Sequence, residues 1–311
     1  MTIKLGIVMD PIQTIHYKKD STLALLWEAH DRHFEIHYFE QHDLFIRDGK
    51  AFGTSRLLKV FHDEKKWYEL GVRNEIALQS LDLILMRKDP PFDLEYIYTT
   101  YILEIAERAG TRVINKPQSL RDFNEKVFAS IFPEYTPKTL ITRSKALLAD
   151  FFREEKDIVL KPLEGMGGTA VFHLTSKDPN FSVAVEMLTA NETRYIMAQR
   201  YIPEITEGDK RIILINGEPI PYALARIPAD GEFRGNLVRG AKGVAMKLTK
   251  RDNEICESVG PYLREKGLVF VGIDVIGDYL TEINITSPTG IRELDTQCNI
   301  NIAKIFWDAV L

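Results

Sequence analysis

The opening third of the chain alternates two textures, and that alternation limits its fold more than any other feature. Residues 3–10, 34–40, 81–86 and 111–115 are strand-length, largely apolar runs. Between them lie stretches of helical period. Leu23, Leu26, Trp27 and His30 follow the polar pair Asp20-Ser21, and Ile97, Tyr101, Ile105 and Ala109 recur every four residues up to Gly110. Asp48-Gly49 reads as a hairpin turn, and Pro117 breaks the pattern before a further helix. Strands apolar on both faces need cover on both sides, so repeated strand–helix–strand predicts an open, largely parallel sheet.

After Pro137 the texture changes. Ser144 is a good N-cap for a helix burying Leu147, Leu148, Phe151 and Phe152. Strands are expected at 157–161, 170–174, 194–201, 211–215 and 222–227, with Asn216-Gly217 as a hairpin turn. Residues 228–246 carry four glycines and no period, and read as a mobile loop. Thr249 with Asp252 resembles a capping box for a helix through Ile255, Val259 and Leu263, which Pro261 should kink. A two-stranded ribbon over 268–286 and a last helix complete an α+β arrangement behind an α/β start. A length of 311 residues fits about two domains, or three small ones.

Forty Lys plus Arg against forty-five Asp plus Glu leave a net charge of −5, which argues against a nucleic-acid partner. No apolar run approaches the ~18 residues that span a bilayer, and the N-terminus reads as a strand rather than a signal peptide. Cys256 and Cys298 cannot make a disulfide framework, which points to a reducing, cytoplasmic setting. His30, His33 and His37 fall across a helix end, a loop and a strand, so no zinc site is expected there.

Three groups of residues could carry chemistry. Lys161-Pro162-Leu163-Glu164-Gly165-Met166-Gly167-Gly168 ends a buried strand with a lysine and a glycine-rich turn. Glycines let backbone N–H groups approach phosphate oxygens and the lysine supplies countercharge; the plainer alternative is a tight hairpin. Asp274, Glu282 and Asn284 are hard oxygen donors on otherwise apolar strands, as magnesium prefers, unless they sit at a wet sheet edge. Arg87, Arg211 and Arg226 also lie on strands. They imply carboxylate or phosphate partners, or else surface snorkelling. Gln199, in the stretch 198–203 that closes a strand, could hydrogen-bond a flat base, or simply mark the strand's end.

Together these segments resemble the ATP-grasp ligases, and within them the bacterial glutathione synthetases. The resemblance covers essentially the whole chain. It rests on seven segments in the same order: 86–92 (Met-Arg-Lys-Asp-Pro-Pro-Phe), 115–122, 160–168, 208–211 (Gly-Asp-Lys-Arg), 224–228, 234–237 (Arg-Gly-Asn-Leu), and 272–274 continuing to 282–289. It implies an ATP-grasp fold in three parts: a pre-ATP-grasp parallel-sheet domain at 1–122, a central lid domain at 123–202 and a C-terminal catalytic domain at 203–311. It implies that Lys126 and Lys161 reach the nucleotide phosphates and that Gly165, Gly167 and Gly168 close over them. Gln199, Tyr201 and Ile202 would read adenine, and Asp209 would contact ribose. Asp274, Glu282 and Asn284 become ligands of Mg2+, or of Mn2+ in its place. Arg211 and Arg226 face an acyl phosphate, while Arg87, Asp89, Ser287, Pro288, Thr289 and Gly290 lie near the dipeptide and glycine. The implied reaction joins γ-glutamylcysteine to glycine with ATP, in the cytoplasm, by a homotetramer with no membrane or nucleic-acid partner. The loop at 228–246 becomes a lid that excludes water. Alternatives on the same fold are a D-alanine–D-alanine or glutamate-adding ligase, or a non-catalytic ATP-binding protein.

The metal site carries a geometric condition. Asp274 and Glu282 share a face of the ribbon only if they oppose each other, which a plain two-residue turn at Gly277-Asp278 forbids because it sets Asp274 against Thr281. An odd-length hairpin loop, or a bulge with the same effect, is therefore predicted, and the strand register checks it.

Overall fold

The computed structural model describes residues 2–229, 231, 232, 234, 235 and 240–311, and among them the strands form three sheets. The first contains β1 (Lys4–Met9), β2 (Glu35–Phe39), β3 (Leu44–Arg47), β4 (Lys50–Val60), β5 (Tyr68–Ala77), β6 (Leu83–Arg87) and β7 (Arg112–Ile114). Its order is β3-β4-β2-β1-β6-β7, with β5 against β4. β2, β1, β6 and β7 run parallel. β3, β4 and β5 add an antiparallel edge, so the sheet is mixed rather than largely parallel. β5 is hard to see in the sequence because most of its residues are exposed and it lacks apolar alternation.

Helix α1 (Ser21–Asp31) starts where expected, with the Asp20 carboxylate accepting from the Leu23 N–H. Helix α2 (Leu94–Arg108) buries Tyr96, Thr99, Thr100, Leu103 and Ala106, while Tyr101 and Ala109 of the expected stripe face water. A spacing of four drifts about 40° per step around a helix of ~3.6 residues per turn, so such a series cannot hold one face. Pro117 opens α3 (Pro117–Asp122), where its missing N–H costs nothing.

The second sheet is antiparallel and small. It comprises β8 (Thr139–Thr142), β9 (Asp157–Pro162), β10 (Phe172–Thr175) and β11 (Ile196–Arg200), in the order β10-β9-β11-β8. Helices α4 (Lys145–Glu155) and α5 (Phe181–Thr189) cover it, and α5 was not expected. Ser144 caps α4 as its sequence predicts, but only Leu148 of the four named apolar residues is buried. Leu147, about 100° further round the helix, turns to solvent.

The third sheet has the order β14-β13-β12-β15-β16, from β12 (Asp209–Ile215), β13 (Glu218–Ile227), β14 (Lys242–Lys247), β15 (Phe270–Ile276) and β16 (Tyr279–Asn284). Part of the expected loop at 228–246 is thus strand, because residues from Lys242 pair with β13. Asp230, Phe233, Asn236, Leu237, Val238 and Arg239 of that loop lie outside the described residues. The Thr249–Asp252 capping box opens α6 (Lys250–Glu265), which runs on through Pro261. Helices α7 (Ile291–Cys298) and α8 (Ile302–Val310) close the chain. No helix is long and apolar enough to cross a membrane, among the described residues.

The ribbon meets its geometric condition by a bulge. The turn at Gly277-Asp278 pairs Ile276 with Tyr279 and Val275 with Leu280; the register then shifts past Thr281, so that Asp274 opposes Glu282 and Gly272 opposes Asn284.

Two buried apolar clusters each combine residues of the first and third sheets, whereas a third belongs to the small sheet alone. Asn115, at the end of β7, fastens the first and third sheets together. Its amide donates to the carbonyls of Phe270 (2.8 Å) and Ile285 (2.7 Å), and its oxygen accepts from the N–H groups of Val269 (2.8 Å) and Phe270 (2.9 Å). Asn115→Ala would strand four backbone groups, three of them buried, so urea unfolding should show a loss of about 3 kcal/mol or more. A loss below about 1 kcal/mol would mean that water replaces the amide.

Candidate active site

One face of the third sheet is polar, and strand register alone assembles it. Asp209 and Arg211 are two apart on β12; Arg226 on β13 opposes Asp209, and Asp274 on β15 opposes Arg211. Glu282 and Asn284 on β16 extend the row. The opposite face is apolar apart from Lys210, whose Nζ pairs with the Asp252 carboxylate of α6. Above the polar face a cleft of about 910 Å³ separates the third sheet from the small one.

The partners implied for Arg211 and Arg226 are carboxylates of the same face, whereas Arg87 takes a hydroxyl and a backbone carbonyl instead. Arg211 grips Asp274 with two nitrogens, Nε to Oδ1 at 2.5 Å and NH2 to Oδ2 at 2.9 Å. Arg226 NH2 lies 2.5 Å from Asp209 Oδ2 and 2.9 Å from Asp274 Oδ2. Burial alone would raise the Asp274 carboxyl, but the charges of Arg211 and Arg226 overcome it and hold it well below the usual range. For Asp209 burial wins over Arg226, and its carboxyl is pushed up to about 6. Its Oδ1 is buried without a hydrogen-bond partner among the described residues, an orphan acceptor at the cleft wall.

The cleft also gathers the remaining residues expected around a nucleotide. Lys126 and Lys161 each stand 3.8 Å from Glu282 Oε1, and Lys126 Nζ donates to the Gly165 carbonyl at 3.0 Å. Burial lowers the Lys161 ammonium. Gly165, Gly167 and Gly168 all have positive φ and line the cleft. Gln199, Tyr201 and Ile202 line the wall at the end of β11; the Gln199 amide donates to Thr139 Oγ1 at 3.0 Å, and the Tyr201 ring stacks on His173 at 3.8 Å.

A hard divalent cation fits the carboxylate end. Two carboxylates and an amide share one face, and a carboxylate offers about four lone-pair sites. Asp274 Oδ2 receives Arg211, Arg226 and the Asn284 amide (3.2 Å), but among the described residues Oδ1 receives only Arg211. No group of three or more His, Cys, Asp and Glu side chains could hold a metal among the described residues, so other oxygens, such as phosphate, would have to complete the shell.

The residues expected at the substrate end gather elsewhere, where the first and third sheets meet. Arg87 is buried over the Phe270 ring; its Nε donates to Thr22 Oγ1 (3.1 Å), its NH2 to the Pro288 carbonyl (2.9 Å), and NH1 has no partner among the described residues. The Asp89 N–H donates to Asp10 Oδ2, which ties its loop to the end of β1. Ser287, Pro288, Thr289 and Gly290 form the loop from β16 to α7, and the Ser21 hydroxyl at the start of α1 accepts from Ile291 N–H just beyond it.

Sequence reasoning did not single out Arg234, Gly235 or Glu125. Arg234 NH1 donates to the Gly168 carbonyl at 3.0 Å. Gly235 passes so close to Arg226 O and Asp209 Cβ that a side-chain carbon would sit 2.7 Å from each. Arg234-Gly235 was visible as part of a motif, but nothing in it signals contact with the glycine loop. Glu125 binds the backbone after β16, a contact spanning 160 positions that no local pattern reveals.

Comparison with known proteins covers the whole chain. Residues 3–121 match the family model described as "Prokaryotic glutathione synthetase, N-terminal domain", and residues 125–299 match "Prokaryotic glutathione synthetase, ATP-grasp domain". A glutathione synthetase of Pseudomonas syringae pv. tomato is 56% identical over 310 residues, covering 100% of this chain and 97% of the relative. One of Escherichia coli is 54% identical over 308 residues, covering 99% and 98%. Among solved structures, the D-cycloserine synthetase DcsG aligns with a TM-score of 0.68 at 14% identity over 98% of both chains. The ATP-grasp ligase PsnB with its minimal precursor aligns at 0.66 and 17% identity, over 100% and 98%. The ATP-grasp family model over residues 125–299 and the likeness in fold to PsnB establish the ATP-grasp fold.

The raised Asp209 carboxyl makes a signed prediction. With an ordinary value of 3.8 and a folded value of about 6, the folded protein holds a proton that the unfolded chain has released. That contribution is full below pH 3.8 and is lost as pH rises through about 6. Urea unfolding should therefore show wild type losing more stability than Asp209→Asn between pH 4 and 6.5. Parallel profiles would show that Asp209 titrates normally.

Proposed function

Because the chain belongs to the prokaryotic glutathione synthetase family, we propose that it joins γ-glutamylcysteine to glycine with ATP, giving glutathione, ADP and phosphate. It is an ATP-dependent ligase with an ATP-grasp fold. One observation carries the site assignment. Two cleft lysines flank Glu282 at 3.8 Å each, on the same sheet face as Arg211 and Arg226. Phosphoryl transfer to a carboxylate needs such an array, since its transition state spreads negative charge over several oxygens.

In this reading Lys126 and Lys161 hold the ATP phosphates, and Gly165, Gly167 and Gly168 supply backbone donors over them. Gln199, Tyr201 and Ile202 flank adenine, and the orphan Asp209 oxygen accepts from ribose. Asp274, Glu282 and Asn284 would hold Mg2+, which when bound neutralises phosphate charge. The cysteinyl carboxylate attacks the γ-phosphorus of ATP, forming an acyl phosphate and releasing ADP. Arg211 and Arg226 steady the oxygens in transit. The glycine amine then attacks the acyl carbon, phosphate leaves, and the amine gives up its proton. Arg87, Asp89 and residues 287–290 position the dipeptide and glycine. No side-chain nucleophile takes part. We place the three units at 1–122, 123–202 and 203–311, and the reaction in the cytoplasm of a homotetramer, whose mass light scattering would check.

Incubation with ATP, γ-glutamylcysteine and glycine should yield glutathione and phosphate in equal amounts. A different amide product, or none, would overturn the reading. Lys161→Ala should weaken ATP binding by calorimetry at least about tenfold while the fold survives, since a charge-assisted contact is worth about 1.5–3 kcal/mol. Unchanged affinity would remove Lys161 from the phosphate site. Arg226→Lys keeps charge but loses the planar fork, so turnover should fall far more than melting temperature. A collapse in melting temperature at unchanged turnover would make Arg226 structural.

A further inference from the structure

Glu125 connects the nucleotide cleft to the loop at 287–290 through a single carboxylate oxygen. Its Oε1 accepts from the N–H of Ile285 (2.8 Å), the N–H of Thr286 (3.0 Å) and the hydroxyl of Thr286 (2.8 Å). Its main-chain carbonyl accepts from Ile283 N–H at 2.9 Å. The side chain thus fixes the backbone immediately before Ser287, and the main chain fixes the strand that carries Glu282 and Asn284.

The other side of Glu125 is fixed as firmly. Asn124 Oδ1 accepts from the N–H groups of Lys126 and Val127 (3.1 Å each), and its amide donates to the Leu163 carbonyl at 3.1 Å. Lys126, the next residue, reaches Gly165 and stands beside Glu282. A narrow cavity lies between these segments, bordered by Pro90, Phe92, Leu163 and Thr286 as well as Glu125 and Lys126. Glu125 Oε2 makes no hydrogen bond among the described residues, so the carboxylate is committed through Oε1 alone.

We propose that Glu125 is a positioning residue for the ligation: it sets the distance between the phosphate lysine Lys126 and the substrate loop at 287–290. Three donors converge on one carboxyl oxygen, which fixes the backbone at 285–286 in a single geometry against it. The acyl phosphate forms at the nucleotide end and must meet an amine held at the loop end. A displacement of about 1 Å between the two can cost about a hundredfold in rate. The proposal rests on the ligase reading above.

Glu125→Ala and Glu125→Gln test it, by kinetics and by amide hydrogen exchange of the nucleotide-free protein. Glutamine keeps an oxygen that can accept from Ile285 and Thr286. In Glu125→Ala kcat should fall about tenfold or more and the KM for glycine or γ-glutamylcysteine should rise, with KM for ATP within about twofold, because only the loop end is released. Exchange at 285–286 should quicken in the same variant, and Glu125→Gln should restore both readouts to near wild type. Thr286→Val, which deletes only the hydroxyl donor, should shift the same KM by less and serves if Glu125→Ala does not fold. Unchanged kcat and KM values, or all three KM values moving together with a lowered melting temperature in both Glu125 variants, would overturn the proposal. If wild type made no glutathione, the ligase reading would fail, while the exchange experiment would still report whether Glu125 holds the loop.

Discussion

The paired burial of four charges on one sheet face is the constraint to which everything else is fitted. Arg226, Asp209, Arg211 and Asp274 lie on three neighbouring strands, each within hydrogen-bonding reach of an opposite charge. Desolvating such groups is tolerable only with near-ideal partners, and removing one would leave an uncompensated charge costing about 3–5 kcal/mol. Strand register therefore has no slack. A slip of one residue in β12 would turn Asp209 and Arg211 into the apolar face and bring Lys210 into the cleft. The close approaches around the face follow from the same demand. A side-chain carbon at Gly272 would meet Arg211 Cδ at 2.8 Å and Pro288 Cβ at 2.9 Å, so only glycine lets Arg211 lie flat beside the loop.

The bulge at Thr281 shows how little separates a working face from a broken one. A regular hairpin would leave Glu282 on the far side, and the polar row would end at Asp274. One extra residue in β16 rotates the rest of that strand and adds a carboxylate and an amide to the cleft. The displaced Thr281 is not wasted, since its hydroxyl donates to the Asp274 carbonyl at 3.1 Å and holds the irregularity in place.

What could be read from sequence follows the range of the interactions involved. Local signals held: the caps at Asp20, Ser144 and Thr249, the turns at Asp48-Gly49 and Asn216-Gly217, and the need for a register shift between Asp274 and Glu282. Elements whose residues face water on most sides did not announce themselves, as with β5 and its exposed Val72. Partners far apart in the chain were equally hidden. The arginines could be seen to need anions, but that Arg211 takes Asp274, 63 positions away, is a property of the folded sheet alone. Burial pushes the Cys256 thiol up to about 12, so it holds its proton and packs as a small apolar group.

Helix α8 completes an apolar layer that begins with β1, α1 and β2. Trp307 of α8 is fully buried, donates its indole N–H to the Leu25 carbonyl of α1 at 2.9 Å and packs edge-on against Phe34 at 5.1 Å. During synthesis, β1, α1 and β2 therefore emerge first but cannot complete their apolar layer until α8 has left the ribosome. The small sheet, whose core is its own, has no such debt and can close early. Until residues 302–310 are made the nascent protein carries an uncovered hydrophobic face, and a truncation that removes α8 would reopen it.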